Sequence, residues 1–134
     1  MKRTAVIILA LALTSTIFTS FIFRPHYDII SDIAAAIKNG NSATVASYFN
    51  STIDLTVPDN EGTYSKTQAE LILKDFFTKN PPTSFNVNHN GSSNDGSLYA
   101  IGTYTADSGS YRTYFLLKKS GDSYVIQKLE FESE

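Results

Sequence analysis

Hydrophobic and polar residues alternate with a period of two through the last third of the chain, from Ser84 to Phe131. Three clusters that combine glycine with small polar residues divide this stretch: Asn94–Gly96, Asp107–Gly109 and Ser120–Asp122. Such clusters suit tight turns, because glycine adopts positive φ angles and Asn or Asp side chains bond their own backbone. The pattern predicts four consecutive β-strands joined by three hairpin turns.

The first of these strands has one polar face of asparagines, and the opposite face carries Phe85, Val87 and His89. The period therefore predicts that His89 points into the core. A core-facing histidine beside a cavity can act as a general base or bind a ligand. The alternative is a histidine near a strand end with one satisfied hydrogen bond.

The last two strands are apolar on both faces near their middles. Arg112, Tyr114 and Leu116 share one face, and we assign Tyr124 and Ile126 to the same side of the sheet. One face can cover the helices, whereas the other needs a second cover, so these five residues are candidates for a dimer face. The alternative is that amphipathic Tyr rings lie on the surface without a partner.

Gln127 falls on the other face of the last strand, together with Val125, Leu129 and Phe131. A polar side chain on a core face needs a hydrogen-bond partner. That partner is either a backbone group or a ligand in a pocket, so Gln127 is a second pocket candidate.

Helical spacing of apolar residues occurs three times before these strands. The first helix has Asp28 as its N-cap and Gly40 as its stop, and a second short helix follows Asn41. A capping box from Ser65 to Gln68 opens the third helix, which ends at Pro81. Between the second and third helices, alternation from Ile53 to Val57 predicts a strand, followed by a turn and a short returning strand. Asp54 has the opposite parity to the apolar residues of that strand and is expected to face water.

This order of elements predicts an α+β fold with the helices on one face of an antiparallel sheet. The pocket candidates from the rest of the chain are Tyr48, Phe77 and Tyr99. The spacing of apolar residues predicts that Tyr48 and Phe77 point inward. Tyr99 carries a hydroxyl that could polarise a carbonyl group of a substrate.

The N-terminal residues do not belong to the predicted domain, which covers residues 26–134. Lys2 and Arg3 precede an uncharged run over residues 5–23, which is typical of an export signal. Cleavage of residues 1–25 as a signal peptide is one interpretation, and an uncleaved anchor in the inner membrane is the other. Both predict export, to the periplasm or beyond the cell.

Composition narrows the chemistry of this 134-residue chain. It has no cysteine and two histidines, so we expect no disulfide and no metal site. Beyond residue 25 there are eight Lys or Arg residues against 13 Asp or Glu, which gives no reason to expect nucleic acid as a partner. We expect no cofactor, because the chain has no phosphate loop and no nucleophile or metalloprotease motif.

Several short stretches resemble a small exported bacterial family, domain of unknown function 4783. They include Asn39-Gly40-Asn41, Tyr64-Ser65-Lys66, Ile72 to Phe77, Asn80-Pro81-Pro82 and Tyr114 to Lys119. The element order also resembles the nuclear transport factor 2-like, or cystatin-like, superfamily. The resemblance implies three helices packed in a strongly curved, cone-shaped sheet that ends in a four-stranded meander, and it implies no particular activity.

Two functions compete at this point. The first is a non-catalytic exported domain that binds a small apolar ligand or a protein partner and dimerises through its sheet. The second is a small isomerase or hydratase that uses an acid–base residue inside the cone, with His89 as its base. The two differ in whether His89 meets another polar group in a connected cavity.

Overall fold

The computed structural model describes residues 28–134. They form helices α1 (Ile29–Lys38), α2 (Ser42–Ser47) and α3 (Lys66–Lys79). The strands are β1 (Phe49–Val57), β2 (Asn60–Ser65), β3 (Pro82–Ser92), β4 (Leu98–Ala106), β5 (Gly109–Ser120) and β6 (Ser123–Ser133). The α+β class is therefore confirmed. The predicted N-terminal signal or anchor falls on residues 1–25, which lie outside the described residues.

The helices begin and end where local sequence chemistry dictates. The Asp28 carboxylate accepts the Ile30 N–H and caps α1, whereas the Ser65 hydroxyl accepts the Gln68 N–H and caps α3. Gly40 follows α1 with a φ of +63°, a left-handed conformation that glycine adopts without steric cost. Each helix buries its apolar face, for example Ile33 and Ile37 of α1.

All six strands belong to one sheet, in the order β2-β1-β6-β5-β4-β3. Strands β3, β4, β5 and β6 pair antiparallel in chain order. Strands β1 and β6 pair parallel, so the prediction of a purely antiparallel sheet is wrong. The sheet is open at β2 and β3 and is not strongly curled, so the cone shape is not confirmed.

The core lies between the helices and one face of the sheet. Fully buried side chains from both layers meet there, including Leu73, Tyr104, Phe115, Leu129 and Phe131. We call the opposite face of the sheet, which the helices do not cover, the outer face. Bulges in β3 and β6 decide which of their residues reach that outer face.

Candidate functional site

Aromatic rings fill the space between α3 and the sheet, where a ligand inside the fold would have to bind. The ring of Phe76 lies 4.8 Å from that of Phe131 and 5.3 Å from those of Tyr104 and Tyr111, measured between centroids. The ring of Phe77 stacks on Tyr104 at 5.9 Å. These contacts are tight enough to make the interior a packed core. Phe77, predicted as a pocket residue, is 5% exposed within it.

Polar atoms at the edge of this aromatic core bond one another. The Tyr104 hydroxyl donates to the main-chain carbonyl of Asn80. The Asn80 side-chain oxygen accepts from the Tyr111 hydroxyl at 3.0 Å and from the Ser108 hydroxyl at 2.7 Å. Burial raises the pKa of Tyr104, with Tyr111 adding to the effect, so Tyr104 keeps its proton. These tyrosines hold the end of α3 against the β4–β5 hairpin.

His89 is exposed, and the prediction that it faces the core is wrong. Its neighbour Val87 pairs with Gly102, but His89 pairs with Ile101, so Asn88 is an extra residue in β3. This bulge turns His89 to the outer face. There its Nε2 atom lies 3.0 Å from the hydroxyl oxygen of Tyr99, another residue of the outer face. The two predicted pocket residues therefore meet each other, but on an open surface.

Gln127 is the extra residue of the second bulge, in β6. Ile126 pairs with Leu117 and Lys128 with Leu116, so the strand shifts by one residue at Gln127. Its side-chain oxygen accepts a hydrogen bond from the Asn50 amide at 3.1 Å. Gln127 thus finds a side-chain partner from β1, where two bulged strands meet.

The same bulge reverses the faces of the first half of β6. Ile126 is fully buried in the core, so its assignment to the dimer face is wrong. Tyr124 also packs against the core and lies at its edge. Val125, which we had assigned to the core, points to the outer face beside Lys118. A one-residue shift moves every side chain before it to the opposite face.

A continuous group of apolar and aromatic side chains occupies the middle of the outer face. In the ladder between β4 and β5, Tyr99 lies opposite Leu116 and Ile101 opposite Tyr114. We call these four residues together with Val125 the apolar patch, and each of them is half-buried. Ile101 and Val125 were missed in the sequence, although the alternation of β4 could have revealed Ile101.

Charged residues flank the apolar patch in an ordered way. Glu130 and Glu132 of β6 lie toward one end, where Glu130 faces Tyr114 and Glu132 faces Arg112. Lys118 lies toward the other end, beside Val125, and Lys128 lies between, beside Leu116, where its amino group pairs with Glu130 at 3.4 Å. Asp54 of β1 is a further charged residue of the outer face, and it faces water as predicted. Its carboxylate accepts a hydrogen bond from the Thr63 hydroxyl at 2.6 Å.

A cavity of about 700 Å³ opens at the end of the sheet where β4 begins and the β5–β6 turn lies. It is bordered by the start of α1 and by Tyr48, which follows α2. Tyr48 is the one predicted pocket residue that lines it. Its main-chain carbonyl accepts the Ile126 N–H at 2.7 Å, which fixes α2 beside β6. The lining residues are Asp28, Ile29, Asp32, Tyr48, Leu98, Asp122, Ser123 and Tyr124.

Within residues 28–134, no three His, Cys, Asp or Glu side chains are grouped as a metal site would require. In that same part of the chain, no helix combines the length and the apolar character needed to cross a membrane.

Residues 30–132 match the family described as "Domain of unknown function (DUF4783)". A crystal structure of a DUF4783 family protein from Bacteroides ovatus is 29% identical, with a TM-score of 0.73. That match covers 78% of this chain and 94% of the other. No curated protein matches the chain.

Two more distant structures share the fold. One is described as a putative calcium/calmodulin dependent protein kinase II association domain from Xanthomonas campestris, with a TM-score of 0.60 and 19% identity. It covers 79% of this chain and 83% of its own. The other is a nuclear transport factor 2-like protein of unknown function from Cytophaga hutchinsonii, with a TM-score of 0.57 and 10% identity. It covers 80% of this chain and 88% of its own, and both likenesses concern the fold alone.

Proposed function

The chain belongs to the family of domain of unknown function 4783, and from that premise we propose that it is an exported, non-catalytic binding domain that dimerises through the outer face of its sheet. The apolar patch is the single observation that carries this proposal. Its five residues lie on β4, β5 and β6, three adjacent strands well inside the sheet. Two tyrosines and a leucine form its centre. Interfaces concentrate such aromatic and aliphatic residues in their cores.

A second copy of the chain is the partner that fits this face. A two-fold axis across the strands would bring the Glu132 end of one copy to the Lys118 end of the other, while Lys128 and Glu130 already pair within each chain at 3.4 Å. The patch would then pack on itself, with opposite charges at its rim. Arg112 lies at the acidic end and offsets part of the charge there, so we expect the apolar patch to supply most of the affinity.

One protein of similar fold, from Xanthomonas campestris, carries a description that names association. That protein is described as an association domain. Its likeness to this chain is one of fold, so it lends weight to the proposal without identifying the contact residues.

Catalysis by His89 is the alternative function. The contact of 3.0 Å between its Nε2 atom and the Tyr99 hydroxyl favours it. However, both groups lie on the outer face, where water competes with any substrate and weakens electrostatic stabilisation. The geometry therefore favours binding, with His89 beside Tyr99 of the apolar patch.

Export is the second part of the proposal, and it rests on Lys2, Arg3 and the uncharged run over residues 5–23. Intact-mass measurement of the protein purified from its own host tests it. A mature chain that has lost about the first 25 residues would support a cleaved signal. A full-length chain that fractionates with membranes would support the anchor, and a full-length chain in the cytoplasm would contradict export.

The dimer is tested by light scattering after size exclusion, over a series of protein concentrations. We expect the wild type to approach twice the monomer mass of 14.8 kDa as concentration rises, or of the processed chain if a signal is removed. Tyr114→Glu combined with Leu116→Glu places four carboxylates at the centre of a two-fold contact and should give a folded monomer.

Leu71→Glu is the matched control, because Leu71 of α3 is the large hydrophobic side chain most exposed among the described residues, at 62%. It should leave the dimer intact. Circular dichroism checks that the double variant is folded, and the milder Leu116→Lys replaces it if it is not. A wild type that stays monomeric at high concentration would refute the sheet-face argument.

A further inference from the structure

The cavity beside the start of α1 has an apolar and aromatic lining that is already held in place. Ile29, Tyr48, Leu98 and Tyr124 all line it, and all four pack against the hydrophobic core. Each is half-buried, so one side of the residue contacts the core while another borders the cavity. They come from α1, the end of α2, β4 and β6, which are four elements of one rigid core. Binding at a preformed apolar surface loses little conformational entropy.

The polar lining of this cavity is acidic. Asp28, Asp32 and Asp122 border it, and among residues 28–134 no Lys, Arg or His lines it. The N-terminus of α1 contributes roughly half a positive charge, and the three carboxylates outweigh it. The nearest basic residue in the strand ladder is Lys119, which pairs with Tyr124 but is exposed and does not line the cavity. The site therefore favours a cation.

We propose that this cavity binds an organic cation, an ammonium group attached to an apolar body. The apolar body would lie against Ile29 and Leu98, and the ammonium group would lie between the tyrosine rings and the carboxylates. Tyr48 and Tyr124 both line the cavity, and aromatic rings attract cations to their faces through their quadrupoles. Asp32 and Asp122 supply the countercharge, while Asp28 is partly occupied as the cap of α1.

This site is separate from the apolar patch. Tyr124 and Leu98 lie on the core side of the sheet, whereas Tyr99 and Val125 lie on the outer face. Binding at the cavity therefore does not depend on dimerisation, and each can fail without the other. The class of ligand also differs from the small apolar molecule expected from the sequence, because the carboxylates would be left desolvated and unpaired by an uncharged ligand.

Nuclear magnetic resonance of the isotope-labelled full chain tests the proposal with three probes of equal length: hexylammonium, hexan-1-ol and hexanoate. Hexylammonium should shift the methyl signals of Ile29 and Leu98 and the ring signals of Tyr48 and Tyr124. We expect its Kd to be at least about fivefold lower than that of hexan-1-ol, and hexanoate to bind most weakly. Raising the salt to about 1 M should weaken hexylammonium binding and leave hexan-1-ol unchanged.

Two variants test which carboxylate and which aromatic ring bind the ammonium group. Asp32→Asn keeps the shape of the side chain and should weaken hexylammonium about fivefold without affecting hexan-1-ol. Tyr124→Leu should weaken hexylammonium while preserving the apolar contact. Asp107→Asn is the matched control, since Asp107 lies in the β4–β5 turn at the opposite end of β4 from Leu98.

Three outcomes would overturn the proposal. Equal Kd values for hexylammonium and hexan-1-ol would show an apolar site with no preference for charge. Equal weakening by Asp32→Asn and Asp107→Asn would assign the effect to the net charge of the protein. Shifts confined to residues outside the cavity, or the lack of any shift, would show that the cavity does not bind this class of ligand.

Discussion

The hydroxyl of Tyr104 is a single polar group whose hydrogen bond stabilises this core. Its ring is fully buried among aromatic side chains, and its hydroxyl donates to the main-chain carbonyl of Asn80 just after α3. Tyr104→Phe keeps the ring and leaves that carbonyl without its donor. We expect a loss of about 1–2 kcal/mol in the free energy of unfolding near neutral pH, measured by urea denaturation.

The same substitution carries a pH dependence. Burial raises the pKa of Tyr104 above its ordinary value of 10.0, so above that pH the unfolded chain releases a proton that the folded chain retains. The stability that Tyr104 contributes is therefore complete below about pH 10 and falls as the pH rises further. We expect the gap between wild type and Tyr104→Phe to narrow above about pH 10.

Tyr114→Phe is the control for that experiment, since it removes a tyrosine hydroxyl from the outer face. If it destabilises the protein as much as Tyr104→Phe does, the bond to Asn80 is not the cause. A gap that stays constant with pH would contradict the raised pKa.

At the scale of single elements, β3 lies close against β4 at Gly102, which leaves no room for a side chain. A Cβ atom on Gly102 would lie 2.5 Å from the main-chain oxygen of Asn86 and 3.0 Å from the Phe85 ring. The backbone oxygen belongs to the ladder and cannot move away without breaking it. We expect Gly102→Ala to cost about 1–3 kcal/mol or more, measured by urea denaturation.

Gly62→Ala provides the comparison. The nearest atoms to a Cβ there belong to the Tyr64 side chain, at 3.2 Å, and that partly exposed ring can turn aside. The cost should therefore stay below about 1 kcal/mol. Equal losses in the two variants would mean that the general cost of replacing glycine in a strand explains both.

Elements whose signals are local could be predicted from the sequence. Residues close together in sequence determine the caps of α1 and α3 and the two faces of β5. The structure shows all three as expected. The bulges at Asn88 and Gln127 could not be predicted in this way. Gln127 bonds Asn50, 77 residues away in sequence, and no pattern within β6 reveals that contact.

The candidate site was predictable only where no bulge intervened. Tyr114 and Leu116 lie on an uninterrupted part of β5 and keep their predicted face, whereas His89 and Ile126 are each displaced by a bulge. The cavity was missed because its lining comes from four separate elements. Of these, the sequence indicated only Tyr48 as a pocket residue.

For the whole molecule, the pairing of β1 with β6 controls when the sheet can form. The last strand of the chain lies inside the sheet, between β1 and β5, and carries the fully buried residues Ile126, Leu129 and Phe131. The sheet thus joins residues near position 50 to residues near position 129. Folding that depends on such distant contacts is slow compared with local helix formation.

A chain without β6 should therefore remain unfolded. We expect a chain that ends at Gly121 to lack a cooperative unfolding transition and to be digested rapidly by protease, because β1 and β5 each lose a partner. A chain that ends at Ser133 is the control, since it loses only Glu134, whose N–H donates to the Ser110 carbonyl where the pairing of β5 and β6 ends. That control should resist protease as the wild type does. Protection of the chain that ends at Gly121 would show that β1 to β5 form a stable core, and the dependence of folding on β6 would be refuted.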